Sequence, residues 1–310
     1  MKNQKIFCYS TSYFILVLFF LSFSVNTFAG AWPQKKGGYY FKLSGNYFFT
    51  RSEFNHLGNK VAIFAEKIAF KNASFRDFNI NIYAEYGFTS KLTGIVNVPF
   101  KILNSKWDKY LTQDILASRE SLFTNGLGDF SLISRYAIIT NPIVLSLQGG
   151  VKLPLGYDKR PSNDGAPLGT GDLDYEGHLL FGFSFHPIPI YFTSGIGYRV
   201  RTGRLHDEIL YSVEIGYNKN RLLFKINLDG IQNTTTPLDL IGLPVVTPLP
   251  GGGGVNPSVI VGDQNILKIS PAIIYNIKDH LAIQAEVLHI FSGKNTTSGS
   301  IFSLGFIFSK

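Results

Sequence analysis

The chain has 310 residues, of which 45% are hydrophobic, 15% aromatic and only 16% charged, with a formal net charge of +8 and a single cysteine. Soluble domains carry about 25% charged residues, so this balance argues against an ordinary soluble domain, and one cysteine excludes a disulfide framework or a thiolate zinc cluster. The positive charge is scattered over single positions rather than gathered into an arm, so no nucleic-acid partner is expected.

Residues 1–29 form a separate object. Lys2 and Lys5 make a short positive start, Phe14 to Phe23 an apolar core, and Thr27-Phe28-Ala29 a small-residue exit. This order predicts a signal peptide cleaved after Ala29. The apolar run is shorter than the ~20 residues a spanning helix needs. Cleavage removes Cys8, Lys2 and Lys5 and no acid, lowering the net charge from +8 to +6. Residues 30–310 are then one domain.

The rest of the chain reads as twelve alternating segments. The first is 38–49. The second, 75–88, shows the pattern best: Phe78, Ile80, Ile82, Ala84, Tyr86 and Phe88 alternate with Asp77, Asn79, Asn81, Tyr83 and Glu85. A period of two is that of a strand and not of a helix. Ten more runs follow at 91–102, 128–139, 143–154, 173–186, 190–201, 207–217, 221–229, 265–276, 280–290 and 299–308.

The connections alternate in length. Thr89-Ser90, Thr140-Asn141-Pro142, Pro187-Ile188-Pro189, Asn218-Lys219-Asn220 and Ile277-Lys278-Asp279 are short. The intervening ones, at 50–74, 103–127, 155–172 and 230–264, are long, with shorter ones at 202–206 and 291–298. An even number of antiparallel strands with short turns at one end and long loops at the other describes an all-β, up-and-down transmembrane barrel of the outer-membrane type. Tyr86, Phe88, Tyr136, Phe185, Tyr217, Tyr275, Phe306 and Phe308 gather near the short-turn ends, as an interfacial aromatic girdle would. A soluble β-sandwich also alternates, but its loops need not.

Gly126-Leu127-Gly128-Asp129 and Gly169-Thr170-Gly171-Asp172 both lead from a long loop into a strand. A phosphate loop would need a helix to follow. The motifs therefore read as loop-to-strand junctions: glycine permits the turn, and aspartate bonds nearby amides. Parity fixes the wet face, because Arg or Lys facing lipid at the midplane costs ~2–4 kcal/mol. The predicted lumen path contains Arg135, Lys152, Asp172, Asp174, Glu176, Arg199, Arg201, Glu214, Lys225, Lys268 and Glu286. Arg199 and Arg201 should face Asp172, Asp174 and Glu176 across adjacent strands near the long-loop mouth. Such pairs either stabilise the barrel interior or line a hydrated path, and parity alone leaves both open.

The stretch from GLGDFSLISRYAII through LSLQGGVKLPLGYDKR to GTGDLDYEGHLLFGFSFHPIPIYFTSGIGYRVRTG resembles the outer-membrane barrel family labelled MetA-pathway of phenol degradation. The shared features are the two GxGD leads, the strand ending LPLG and the GIGYR strand. The resemblance implies a transporter-like barrel passing small molecules, without assigned catalytic residues or cofactor.

The combined expectation is a passive channel in the outer membrane of a Gram-negative bacterium, with both termini periplasmic and hydrophobic or aromatic compounds within its range. Its expected partners are outer-membrane lipid, a small-molecule solute and the insertion machinery, although Ser309 and Lys310 displace the terminal aromatic, Phe308. No cofactor or metal is expected. The alternatives are a closed structural or adhesive barrel and a lipid-modifying enzyme. For the enzyme, His178 and Ser184 stand ~20 Å apart along one strand, and Ser292 lies beyond the strand end that carries His289. Two loops invite their own readings. Trp107, Tyr110, Leu111, Ile115 and Leu116 are spaced for a short amphipathic helix, and the apolar, glycine-rich loop 230–264 is expected to fold inward as a partial plug.

Overall fold

The structure, a computed structural model, describes residues 30–65, 69–111, 114–157, 165–202, 205–234 and 264–310. The leader 1–29 and most of loop 230–264, with its expected plug, lie outside the described residues.

Fifteen strands are present among the described residues: β1 Tyr39–Thr50, β2 Ser52–Phe54, β3 Lys60–Ala62, β4 Phe70–Gly87, β5 Leu92–Tyr110, β6 Leu116–Leu127, β7 Asp129–Ile139, β8 Ile143–Pro154, β9 Asp174–Ser184, β10 Ile190–Arg201, β11 Glu208–Lys219, β12 Leu222–Asn233, β13 Asn265–Lys278, β14 Leu281–Lys294 and β15 Thr296–Ser309. Twelve of them form a closed antiparallel barrel in the order β1-β4-β5-β7-β8-β9-β10-β11-β12-β13-β14-β15, and β15 pairs back onto β1. Closure leaves no barrel edge whose amides and carbonyls would lack partners in hydrocarbon. All twelve expected segments are barrel strands.

Side chains alternate across the wall as the pleat requires. Leu43, Tyr47, Phe78, Ile80, Ile82, Leu132, Leu147, Leu179, Ile215 and Leu304 are among the large apolar residues exposed on the outside. All eight girdle aromatics are exposed as well. On β11, Leu210 and Glu214 are buried while Ile209, Tyr211, Val213 and Ile215 are exposed. The protein thus turns its apolar surface outward, the arrangement that a lipid solvent favours.

The expected helix around Trp107–Leu116 is not formed. β5 continues to Tyr110 and returns as β6, paired from Phe100↔Leu127 to Tyr110↔Leu116. Trp107 is buried, so its apolar character serves the inner face of a strand, not a helix stripe. Loop 50–74 is also more ordered than a plain loop: β2 and β3 form a small hairpin, and β2 pairs with the start of β15.

The first GxGD motif is likewise not a loop-to-strand turn. β5 pairs with β7 up to Asn97↔Ser131 and with β6 from Phe100↔Leu127. β6 and β7 are therefore one descending path broken at Gly128. Opposite the break stands Pro99, which has no N–H for the ladder, while its carbonyl accepts from Gly128 N at 2.8 Å. Gly126 sits at φ 149°, a conformation open to glycine.

Candidate functional site: the lumen and its two ends

The inward rows bring five of the eleven predicted path residues, Lys152, Asp174, Glu176, Arg199 and Arg201, into one network. Register places Arg199 opposite Glu176 and Arg201 opposite Asp174. Arg199 donates to Glu176 Oε2 at 3.0 Å and to Glu208 Oε2 at 2.7 Å. Arg201 donates to Glu208 Oε1 at 2.8 Å, and its Nε lies 3.9 Å from Asp174 Oδ2. Lys152 contacts Asp174 and stands 3.4 Å from Asp129. Asp174 is 1% exposed, and neither of its oxygens makes a hydrogen bond of good geometry among the described residues.

The other predicted residues occupy separate stations. Arg135 lies 3.6 Å from Glu85. Lys225 donates to Glu214 at 2.9 Å, and Tyr191 OH donates to the second oxygen of Glu214 at 2.8 Å. Lys268 stands opposite Asp229 in register. Glu286 accepts from Gln284 at 2.8 Å. Asp172 sits in the loop before β9, ahead of the register that sets Arg199 opposite Glu176 and Arg201 opposite Asp174. Glu208, which bridges both arginines, opens β11, and its even-number parity with Glu214 along that strand is the sequence signal that places it inward.

At the short-turn end, residues 30–38 run along the inner wall as a strap. Ala31 is fully buried, its carbonyl accepting from Ser146 Oγ at 2.7 Å. The Trp32 carbonyl accepts from Arg135 at 3.0 Å, and the Trp32 ring meets Tyr191 edge-on at 5.8 Å. Gln34 donates through its amide to Thr93 Oγ1 at 2.8 Å and through its side chain to Glu85 at 2.7 Å. Gly37 N donates to Gly87 O at 2.8 Å. With Ala31 and Trp32 also packed against Leu180, the strap runs past β10, β9, β8, β7, β5 and β4, close to the short-turn end of each. A Cβ on Gly87 would lie 2.0 Å from Lys35 O, so that glycine is required by the approach of the strap. No periodicity marks Ala31-Trp32-Pro33-Gln34 in the sequence. A Trp-Pro pair outside any strand was the available hint.

At the long-loop end, an apolar cluster fills the inner face. Phe48, Ala73, Phe75, Leu103 and Trp107 come from the wall, Ile63 and Phe64 from the residues after β3, and Ala166 and Leu168 from the loop before β9. The two GxGD motifs meet here. Asp129 accepts from Thr170 N at 3.2 Å and from Tyr157 OH, and Gly171 N donates to Tyr157 OH at 2.6 Å. A Cβ on Gly169 would fall 2.5 Å from Asp129 Oδ2. The amide that Asp129 binds therefore belongs to the second motif, not to its own strand. Burial and the Asp129 carboxylate raise the Tyr157 phenol above its ordinary range. In the next long-loop connection, the Arg201 amide and then the Tyr198 hydroxyl hold the Asp207 carboxyl below the usual range.

Among the described residues no group of His, Cys, Asp and Glu is arranged to hold a metal ion. His289 Nδ1 lies 2.8 Å from Ser300 Oγ, a pairing the sequence did not suggest, but its neighbour on the other side is the apolar Ile269.

No family model matches the chain, and no curated protein does. Solved structures match its shape. The COG4313 outer membrane channel from Pseudomonas putida F1 superposes with a TM-score of 0.65 at 11% identity, covering 90% of this chain and 98% of that one. The NanC porin gives a TM-score of 0.47 at 8% identity, covering 86% and 98%, and the CymD monoaromatic hydrocarbon channel 0.43 at 9%, covering 89% of each. At these identities the likeness is one of fold: a transmembrane β-barrel of the outer-membrane type.

Proposed function

We propose that this barrel is an outer-membrane channel through which small molecules diffuse passively, with its long loops outside the cell and both chain ends in the periplasm. The observation that carries the reading is the two-faced wall: apolar side chains outside, rows of paired polar and charged side chains inside.

The pairing bears on what passes. Arg135, Lys152, Arg199, Arg201 and Lys225 each stand beside an acid within 4 Å. A wall whose charges neutralise one another concentrates neither sign of ion. This favours uncharged solutes. The aromatic cluster of Phe48, Phe64, Phe75 and Trp107 at the long-loop end supports apolar or aromatic compounds among them, as does the resemblance to the phenol-degradation barrels. In this reading the strap is the periplasmic gate. Swelling of liposomes containing the refolded barrel tests it. Small neutral aromatic alcohols should enter at least as fast as charged solutes of equal size. Exclusion of neutral solutes alone would contradict it.

A further inference from the structure

The outer surface at the short-turn end carries a second feature. Tyr217, Lys219, Asn220, Arg221, Leu222, Phe224 and Tyr275 line a groove of ≈ 540 Å³. Register explains how it is built. Tyr217 pairs with Phe224, which pairs with Ile273; one step nearer the turn, Lys219 pairs with Leu222, which pairs with Tyr275. Two rows of outward residues are thus stacked, the deeper one entirely apolar and aromatic, the shallower one ending in Lys219. Arg221 lies beyond them at the tip of the turn, and its carbonyl accepts from Asn276 N at 2.8 Å. That bond ties the turn to β13 and holds the base of the guanidinium side chain beside Tyr275.

The charge pattern singles this groove out. Both ionised residues lining it are cations and no acid lines it. The other short turns differ: 89–91 carries one cation, 140–142 and 187–189 none, and Lys278 is followed directly by Asp279. The aromatic rings mark the level of a bilayer interface. A ligand for this place needs an anionic head for Lys219 and Arg221 and an apolar tail to lie along Tyr217, Leu222 and Phe224. Free phosphate offers only the first.

We propose that this groove binds one anionic phospholipid of the leaflet facing the short-turn end, its phosphate between Lys219 and Arg221 and its acyl chain over Phe224. The inference takes the barrel to span a bilayer but is independent of whether the lumen conducts. Each interfacial cation contributes about fivefold to anionic-lipid affinity, so the pair should give about a 25-fold preference for phosphatidylglycerol over phosphatidylcholine.

The test is native mass spectrometry of the refolded full-length mature chain released from neutral detergent with equimolar phosphatidylglycerol and phosphatidylcholine. Wild type should retain one phosphatidylglycerol in strong preference. K219Q with R221Q should retain the two lipids equally while keeping the heat-modifiable gel migration of a folded barrel. K91Q, at the other cationic turn, should behave as wild type. Equal retention by wild type, or an undiminished preference in the double variant, overturns the proposal. So does displacement of the lipid by millimolar inorganic phosphate at constant ionic strength, which would make the site one for the free anion. Loss of channel activity with the lipid preference intact would overturn the channel reading and leave this site standing.

Discussion

The two ends of the lumen are packed by different physics. At the short-turn end the strap is held mainly by hydrogen bonds: Ser146 to Ala31, Arg135 to Trp32, and Gln34 to Thr93 and Glu85. Each such bond is worth about 0.5–1.5 kcal/mol net, because water can replace the partner. At the long-loop end, Phe64 and Leu168 are buried against Phe48, Phe75 and Trp107. Fully burying one such side chain is worth about 1.5–3 kcal/mol, and water offers it nothing in exchange. The strap is therefore the end that can open into an aqueous lumen at low cost, and the apolar cluster is the end that should stay seated.

That contrast can be broken in a graded way. Phe64→Ala should have the largest effect, removing about 3–5 kcal/mol of local packing. Hydrogen exchange should then quicken at the β2–β3 amides while the barrel strands keep their protection. Next, Gly87→Ala puts a methyl group on the Lys35 carbonyl. It should displace the strap, quickening exchange at Gly37 and raising conductance without lowering the free energy of unfolding by more than about 1–2 kcal/mol. Asp129→Asn weakens the bonds to Tyr157 and Thr170 and should cost about 1–3 kcal/mol, read as faster proteolysis of the loop before β9 with the strap unaffected.

The smallest effects are those of pH. The Tyr157 phenol is raised in the folded chain, so the stability it contributes is fully present below the ordinary tyrosine range and is lost only as pH climbs through its folded value. The outer latch should therefore be unchanged between pH 6 and about 9. Asp207 is the opposite case. Its folded value is depressed, so its contact with the Arg201 amide is lost only as pH falls through that lowered value. Exchange at the Arg201 amide should quicken below the usual carboxylate range and not within it.

The barrel was legible in the sequence because a two-sided wall writes its rule into every residue. The alternation of Phe78, Ile80 and Ile82 with Asp77, Asn79 and Asn81 needs no tertiary knowledge, and neither does the alternation of turn lengths. Parity likewise put Arg199 and Arg201 on the same face as Asp174 and Glu176; the one-to-one pairing is set by register. What escaped has a common cause. The strap, the β2–β3 hairpin and the meeting of Asp129 with Thr170 are set by contacts between segments far apart in the chain, with no period to expose them. Trp107 misled for a related reason: five apolar residues near one another fit a helix stripe as readily as the inner face of a strand and its return. Gly126 and Gly128 signalled a special backbone correctly, but a bulge opposite Pro99 and a loop-to-strand turn ask for the same residues.

The most direct test is single-channel recording in planar bilayers of the barrel of residues 30–310 beside a variant lacking residues 30–36. The strapless barrel should insert, keep its heat-modifiable migration and conduct several-fold more current, with little preference for either ion sign. Equal conductance in the two proteins, or a strapless barrel that stays electrically silent, would contradict the account.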